Sequence, residues 1–331
     1  MRSSKFLFNI RLKGPEQQLL FKTLSELLDS GFNLKDSLIF IKQTTIKANI
    51  IDDVLSKLEQ GYHFSYSIRK YIDGEFYNQI YISEKNGNLI SCLKEINKYI
   101  SIKNKQHKKI REVLMYPLFL ILMLLMALIG INKVIVPQID AIGRVEKYDL
   151  SYLYFFILLI FVFLLLIFIY YRSLSFLKRK EFLIKIPFIG KICQYYMGYY
   201  LSYNLYLMLS NGIDIKNILF IMNSFDKSTI IYSLSNEIKK ELENGMNYTK
   251  LIQKYNFIPK EFILFLSQGN SKEKIINNLF MFSRLQFEDM INKSNRLINL
   301  VQPILFLLIG IGIILGYLSI LMPIYNSLRG I

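Results

Sequence analysis

The strongest nucleophiles and metal ligands in the chain are Cys92, Cys193, His63 and His107. Two cysteines cannot frame a disulfide scaffold, and with two histidines they supply little for a zinc site. His63 follows the glycine turn at Gly61, and His107 lies in a basic run with Lys103, Lys105, Lys108, Lys109 and Arg111. Both histidines read as surface residues, and both cysteines as buried thiols acting as small hydrophobes. No G-x-x-x-x-G-K-[ST] phosphate loop is present: Gly190-Lys191-Ile192 lacks the upstream glycine and the hydroxyl residue. H-E-x-x-H, C-x-x-C and G-x-S-x-G are missing as well. One carboxylate has a suggestive setting. Glu84 ends a helix-like stretch, Tyr77 to Lys85, ahead of the turn Asn86-Gly87-Asn88. A carboxylate there either braces the turn by accepting its backbone N–H groups or serves as a docking charge, and the brace is the preferred reading. No residue is expected to be catalytic, to hold a cofactor or to bind a metal.

The elements that would position these residues are apolar. Of 331 residues 52% are hydrophobic and only 20% charged, with mean hydropathy +0.29, which excludes a disordered chain and does not fit a wholly soluble one. Crossing a bilayer takes about 20 apolar residues, and three stretches qualify: 113–136, 152–171 and 301–323. The second has no charge at all and tyrosines at both ends, where an amphipathic ring favours the headgroup region. Lys133 lies near the end of the first, within snorkelling reach of water. No acid interrupts any of the three, which argues against a proton-coupled transporter. The charge, net +16, is unevenly placed. Residues 1–112 hold 19 Lys/Arg against 12 acids and 172–300 hold 18 against 10, whereas 137–151 holds 2 against 3. Basic loops stay inside. The domains expected are therefore a cytoplasmic helical domain at 1–112, spans at 113–136 and 152–171 joined by an external loop at 137–151, a second cytoplasmic helical domain at 172–300, a third span at 301–323 and an external tail at 324–331. The N-terminus is cytoplasmic in this multi-pass arrangement. The basic excess then follows from topology and contact with membrane lipids, without direct nucleic-acid binding.

The chain also repeats itself. Leu24–Ile41 aligns with Leu205–Met222 through Leu28/Leu209, Gly31/Gly212, Lys35/Lys216 and Leu38/Leu219; Leu58–Tyr71 aligns with Leu242–Tyr255 and pairs Gly61 with Gly245. Tyr116-Pro117 and Gln302-Pro303 open the first and third spans, each 20 residues before another proline, Pro137 and Pro323. Within a copy the pattern is helical. Gly14-Pro15-Glu16 suits a helix start, Leu19, Leu20, Thr23, Leu24, Leu27 and Leu28 supply an apolar stripe, and Gly31 is placed as a left-handed cap. The expected fold class is an all-α membrane protein: two repeated cytoplasmic helical bundles of roughly 100 residues and three transmembrane helices.

These pieces, in order, resemble the type II secretion F family of membrane platform proteins, which serve type II secretion systems, type IV pili and competence pseudopili. The likeness runs from about Glu16 to Leu328. It rests on the helix ends at Leu28–Leu34 and Leu209–Ile215, the L-x-x-G turns at Leu58–Gly61 and Leu242–Gly245, and Ser83-Glu84-Lys85-Asn86-Gly87-Asn88-Leu89, which is similar to the family's G-E-x-[ST]-G-x-L element. The connector Ile186-Pro187-Phe188-Ile189-Gly190 and the span exit Val136-Pro137-Gln138 add to it. Ser83 replaces the element's first glycine; the second copy, Ser267-Gln268-Gly269-Asn270-Ser271, lacks the acid, and Gln302-Pro303 stands where the family has Glu-Pro. The short N-terminus looks most like the Gram-positive competence members.

The resemblance implies a non-enzymatic platform, without cofactors, in the cell membrane. It would couple a secretion-type cytoplasmic ATPase to the insertion of pilin-like subunits into a filament, and act as a homo-oligomer. The alternatives are a polytopic membrane transporter and a scaffold of another envelope complex. The residues singled out as turns or docking points are Glu84, Gly87, Gly31, Gly212, Gly61 and Gly245, with Pro117 and Pro303 opening the spans.

Overall fold

The structure, a computed structural model, describes residues 11–44, 47–130, 133, 151–243, 255–261 and 271–329. Among them every regular element is helical. The order is α1 (Gly14–Asp29), α2 (Leu34–Thr44), α3 (Ala48–Glu59), α4 (Phe64–Ile68) running into a 3-10 turn at Arg69–Tyr71, α5 (Gly74–Lys85), α6 (Leu89–Gly130), α7 (Ser151–Ser173), α8 (Phe176–Lys185), α9 (Ile189–Ser210), α10 (Ile215–Met222), α11 (Ile230–Glu243) and α12 (Lys272–Arg329).

Local chemistry explains the short helices. α1 opens with Pro15 in its first turn, and Glu16 accepts both the Lys13 backbone N–H at 2.6 Å and the Lys47 ammonium at 2.8 Å. Its buried face is Gln17, Leu20, Phe21, Leu24 and Ser25. The helix is thus turned slightly from the leucine stripe, with Leu19 45% exposed and Phe21 fully buried. Phe21 and Phe76 meet edge-to-face and so fix this rotation. At its end Phe32 N–H donates to the Leu27 carbonyl and Gly31 N–H to Leu28, with Gly31 at φ +91°. These two hydrogen bonds satisfy two carbonyls that the helix leaves open, and they need a left-handed residue. The same pair of bonds closes α3 at Gly61, α5 at Gly87 and α9 at Gly212.

Two compact units result. One holds residues 11–105 and 175–292 and has two apolar cores. The first gathers Leu20, Phe21, Leu24, Leu38, Ile41, Val54, Phe64, Ile80, Leu93 and Ile96 from α1 to α6. The second gathers Tyr200, Met208, Phe225, Ile231, Phe257 and Leu279 around α9, α11 and α12. The other unit holds the far halves of α6 and α12 with α7. Its large apolar side chains point outward: Met115, Phe119 and Met126 on α6, Phe163 and Leu166 on α7, and Leu307 and Ile314 on α12 are each more than half exposed. A continuous apolar surface of this size belongs against lipid or protein, not water. Inside the unit, Tyr116 meets Phe306 edge-to-face, and a Cβ on Gly312 would lie 2.8 Å from a Leu124 methyl, so α6 and α12 approach closely there. Leu89–Ala127 of α6 and Lys272–Leu318 of α12 are long and apolar enough to cross a membrane. The boundaries drawn at 112/113 and 300/301 fall inside these helices, which continue through them, with Pro117 and Pro303 enclosed.

Replacing Gly31 by valine should lower the stability of the first core by about 1–2 kcal/mol, since a β-branched residue must take the left-handed conformation there. Thermal melting of the purified protein measures it; an unchanged midpoint removes the cap.

Candidate functional site

Glu84 occupies the last turn of α5, and its carboxylate reaches across to the first turn of α4. It accepts the N–H of Phe64 at 2.5 Å and of Ser65 at 2.9 Å, while the His63 Nδ1 stands 3.9 Å away. The first N–H groups of a helix have no partner within it, and a carboxylate there also meets the positive end of the dipole. The turn after Glu84 satisfies its own donors instead: Asn88 N–H bonds the Ser83 carbonyl at 2.8 Å and Gly87 N–H the Glu84 carbonyl at 3.4 Å. The contact made by Glu84 is therefore 20 residues upstream, not in the adjacent turn. It ties the Gly61 turn to the Gly87 turn. Gly31 and Gly212 close α1 and α9, Pro117 and Pro303 sit within α6 and α12, and Gly245 lies outside the described residues.

The thiols and imidazoles are dispersed. His63 and His107 are exposed, Cys92 is fully buried and Cys193 half-buried. Burial pushes the Cys92 thiol up to about 12. Among the described residues no three His, Cys, Asp or Glu side chains gather as metal ligands would.

A polar seam joins the two cores, and sequence reading did not single it out. Asn78 of α5, fully buried, donates to the Thr229 hydroxyl at 3.3 Å and accepts the Asp226 backbone N–H at 3.0 Å. Arg69 pairs with Asp226 at 3.1 Å and lies 4.7 Å over the Tyr77 ring. Burial works against the Asp226 charge, but Ser228 and Arg69 hold its carboxyl below the ordinary range. A Cβ on Gly74 would sit 2.9 Å from the Ser228 hydroxyl and 3.1 Å from Asp226, so any larger residue there would have to displace those side chains. One residue on, the Glu75 carboxylate accepts a hydrogen bond from the Tyr196 hydroxyl of α9. Burial raises the Glu75 carboxyl, with the Tyr196 bond opposing, and burial also raises the Tyr196 phenol well above its ordinary value. Tyr99 packs against Tyr196 at 6.0 Å and stacks with Tyr199 at 6.1 Å. A stripe was available to find this seam: Tyr195, Tyr196, Tyr199, Tyr200, Tyr203 and Tyr206 recur at helical spacing on α9. Such a seam positions two domains; it gathers no nucleophile with a base.

The chain matches the family model of the type II secretion system protein F twice, over residues 20–137 and 201–323. It belongs to the type II secretion system protein F family. Each match spans one core and the apolar stretch of α6 or α12 that continues from it. Among its relatives, ComG operon protein 2 of Bacillus subtilis is 24% identical over 90% of this chain and 98% of its own length. Type II secretion system protein F of Vibrio cholerae is 21% identical over 98% and 85%. The protein transport protein HofC homolog of Haemophilus influenzae is 26% identical over 96% and 86%. This F-family chain is accordingly a membrane protein of the pilus, competence and secretion platform class.

The raised Glu75 carboxyl has a pH consequence. A group whose folded value lies above its unfolded one stabilises fully below the unfolded value, here 4.5, and loses that contribution as pH rises through the folded value. Glu75→Gln keeps an acceptor for Tyr196 without the charge. It should melt higher than the parent at neutral pH, with the gap closing toward pH 4.5; equal gaps at every pH would show that folding does not raise the Glu75 carboxyl.

Proposed function

We propose that the chain is a non-enzymatic membrane platform for assembling a type IV pilus-like filament, in a competence, pilus or secretion machine. In this reading the stretches 113–136, 152–171 and 301–323 span the membrane. The helical domains at 1–112 and 172–300 and the N-terminus face the cytoplasm, and the loop 137–151 and tail 324–331 face outward. A cytoplasmic ATPase binds the helical domains, and pilin-like subunits pass through the platform into the filament. The carrying observation is the double family match, with each helical domain continuing in one helix into an apolar stretch. The relatives' names, drawn from a competence operon, type II secretion and protein transport, support the same class. With no phosphate loop in the sequence, the energy for movement falls to the partner. Self-association into a homo-oligomer suits a platform that must surround a filament base. A transporter needs polar groups at membrane depth, whereas Lys133 and Gln302 fall near the ends of their stretches.

Glu84 acts here as a brace between α4 and α5, because its carboxylate is already committed to two backbone N–H groups.

Reporters fused after Arg144 should register outside, and those near Gly61 and Gly245 inside; an outside signal at Gly245 rejects the three-span arrangement. The purified chain should neither bind nor hydrolyse ATP, yet retain a secretion-type ATPase on a column. Glu84→Gln should lose about 1–2 kcal/mol of stability and still retain that ATPase. Hydrolysis that survives removal of contaminating ATPase rejects the platform, and lost retention at full stability makes Glu84 a docking charge.

A further inference from the structure

We propose that a second chain docks on this one by repeating its internal seam, head to tail. The α12 face around Leu285 of one chain would lie on the α1 groove at Leu19 of the next. The proposal deepens the platform reading and rests on its homo-oligomer.

The internal seam runs in one direction. Tyr81, Ile82, Tyr99 and Ile102, from α5 and α6 of the first repeat, pack into the second core. Among the described residues no apolar side chain of the second repeat packs into the first core. Tyr99 shows the direction best, meeting Tyr196 and Tyr199 of α9 and Phe287 of α12. Two repeats of one fold that meet through different faces make a heterologous contact. Each repeat is then left with one of the two faces unused.

The register of the repeat locates those unused faces. Pro117/Pro303 and Pro137/Pro323 set α6 against α12, and the same register pairs Leu93 with Leu279, both fully buried. It also pairs Tyr99 with Leu285. Tyr99 is taken up by the seam, whereas Leu285 is 57% exposed and Met281, one turn before it, 58%. Gly31/Gly212 set α1 against α9, which pairs Leu20 with Leu201, both buried. In that register Gln18 answers to Tyr199 and Leu19 to Tyr200. Tyr200 is 1% exposed, but Leu19 stands open on an apolar groove shared with Leu12, Leu20 and Ile51.

Each chain thus carries both halves of the seam without their partners: apolar side chains outward on α12 and an apolar groove on α1. One such half would suit any apolar partner. Both halves, at positions equivalent to the two sides of a contact that the chain already forms with itself, suit another copy of the chain. Charge agrees with this occupant. Lys22 lies one turn beyond Leu19 and Asp289 one turn beyond Leu285, both exposed, and among the described residues neither is in an ion pair. The two faces therefore offer opposite charges beside their apolar centres.

Cross-linking of the full chain in membranes tests the contact, with Cys193 replaced by serine and Cys92 left buried. Tyr99 stacks with Tyr199 across the internal seam, and their equivalents are Leu285 and Gln18. A chain with Leu285→Cys and a chain with Gln18→Cys, produced together, should be joined into a dimer by a short bismaleimide. Both substitutions in one chain should give a ladder of dimers, trimers and longer products. Phe220→Cys, at a side chain 81% exposed and outside the seam, should not link to Gln18→Cys. Leu19→Arg, at an exposed position the fold tolerates, should lower the linked fraction about tenfold. Equal linking through Phe220→Cys means random collision and overturns the proposal. Leu285→Cys that links to itself makes the contact isologous and also overturns it. A link undiminished by Leu19→Arg overturns the groove as the acceptor. Particle mass from light scattering separates the contact from the reading beneath it. A multimer without the Gln18–Leu285 link overturns this contact and leaves the homo-oligomer standing, whereas a monomer removes both.

Discussion

A carboxyl removed from water must either lose its charge or be given enough donors to keep it, and Glu75 stands between the two cores under that constraint. Its partner is the Tyr196 hydroxyl, so the α5 N-terminus and α9 must stay in one register for either polar group to be satisfied. The neighbouring seam follows from this placement. Gly74 brings α5 against the 226–229 loop, Asn78 spends its amide on that loop, and Arg69 closes the rim on Asp226. Apolar faces alone would let two helical domains slide over one another. Directional bonds at buried positions penalise every register but one, because each lost partner leaves a buried polar group unpaired.

The seam also explains how two copies of one fold diverge. Gly31 and Gly212 close α1 and α9 with the same two backbone bonds. The tyrosines that follow one helical stripe on α9 have no counterpart on α1, where the buried face is Gln17, Leu20, Phe21 and Leu24. Duplication preserved the local helix-ending chemistry, and the faces that meet across the seam changed.

What the sequence disclosed was local. A glycine after an apolar stripe can be read because cap and stripe lie within one turn of each other, and the repeat was legible because those glycines and leucines recur in the same order. The partner of Glu84 was not legible: Phe64 lies 20 residues away, and nothing near Glu84 marks α4 rather than its own turn as the place with open donors. Asn78 and Glu75 were missed for a related reason. A single polar residue in an apolar face looks the same in sequence whether it faces water or a distant loop. The rotation of α1 was missed because Leu19 and Phe21 flank Leu20 equally, and only Phe76 decides which one turns inward.

The unbroken course of α12 has a mechanical consequence. Its 58 residues make a rod about 87 Å long, and α6 with 42 residues one of about 63 Å. An α-helix transmits torque and tilt with little loss, so a lean of about 5° at one end of α12 moves the other by about 8 Å over that length. Pro303 is the place where this stiffness is locally reduced, because its missing N–H leaves the Asn299 carbonyl without its helical donor. A tilt applied at the Lys272 end of α12 is therefore carried along the helix as far as Pro303, where the ladder of backbone bonds has its gap.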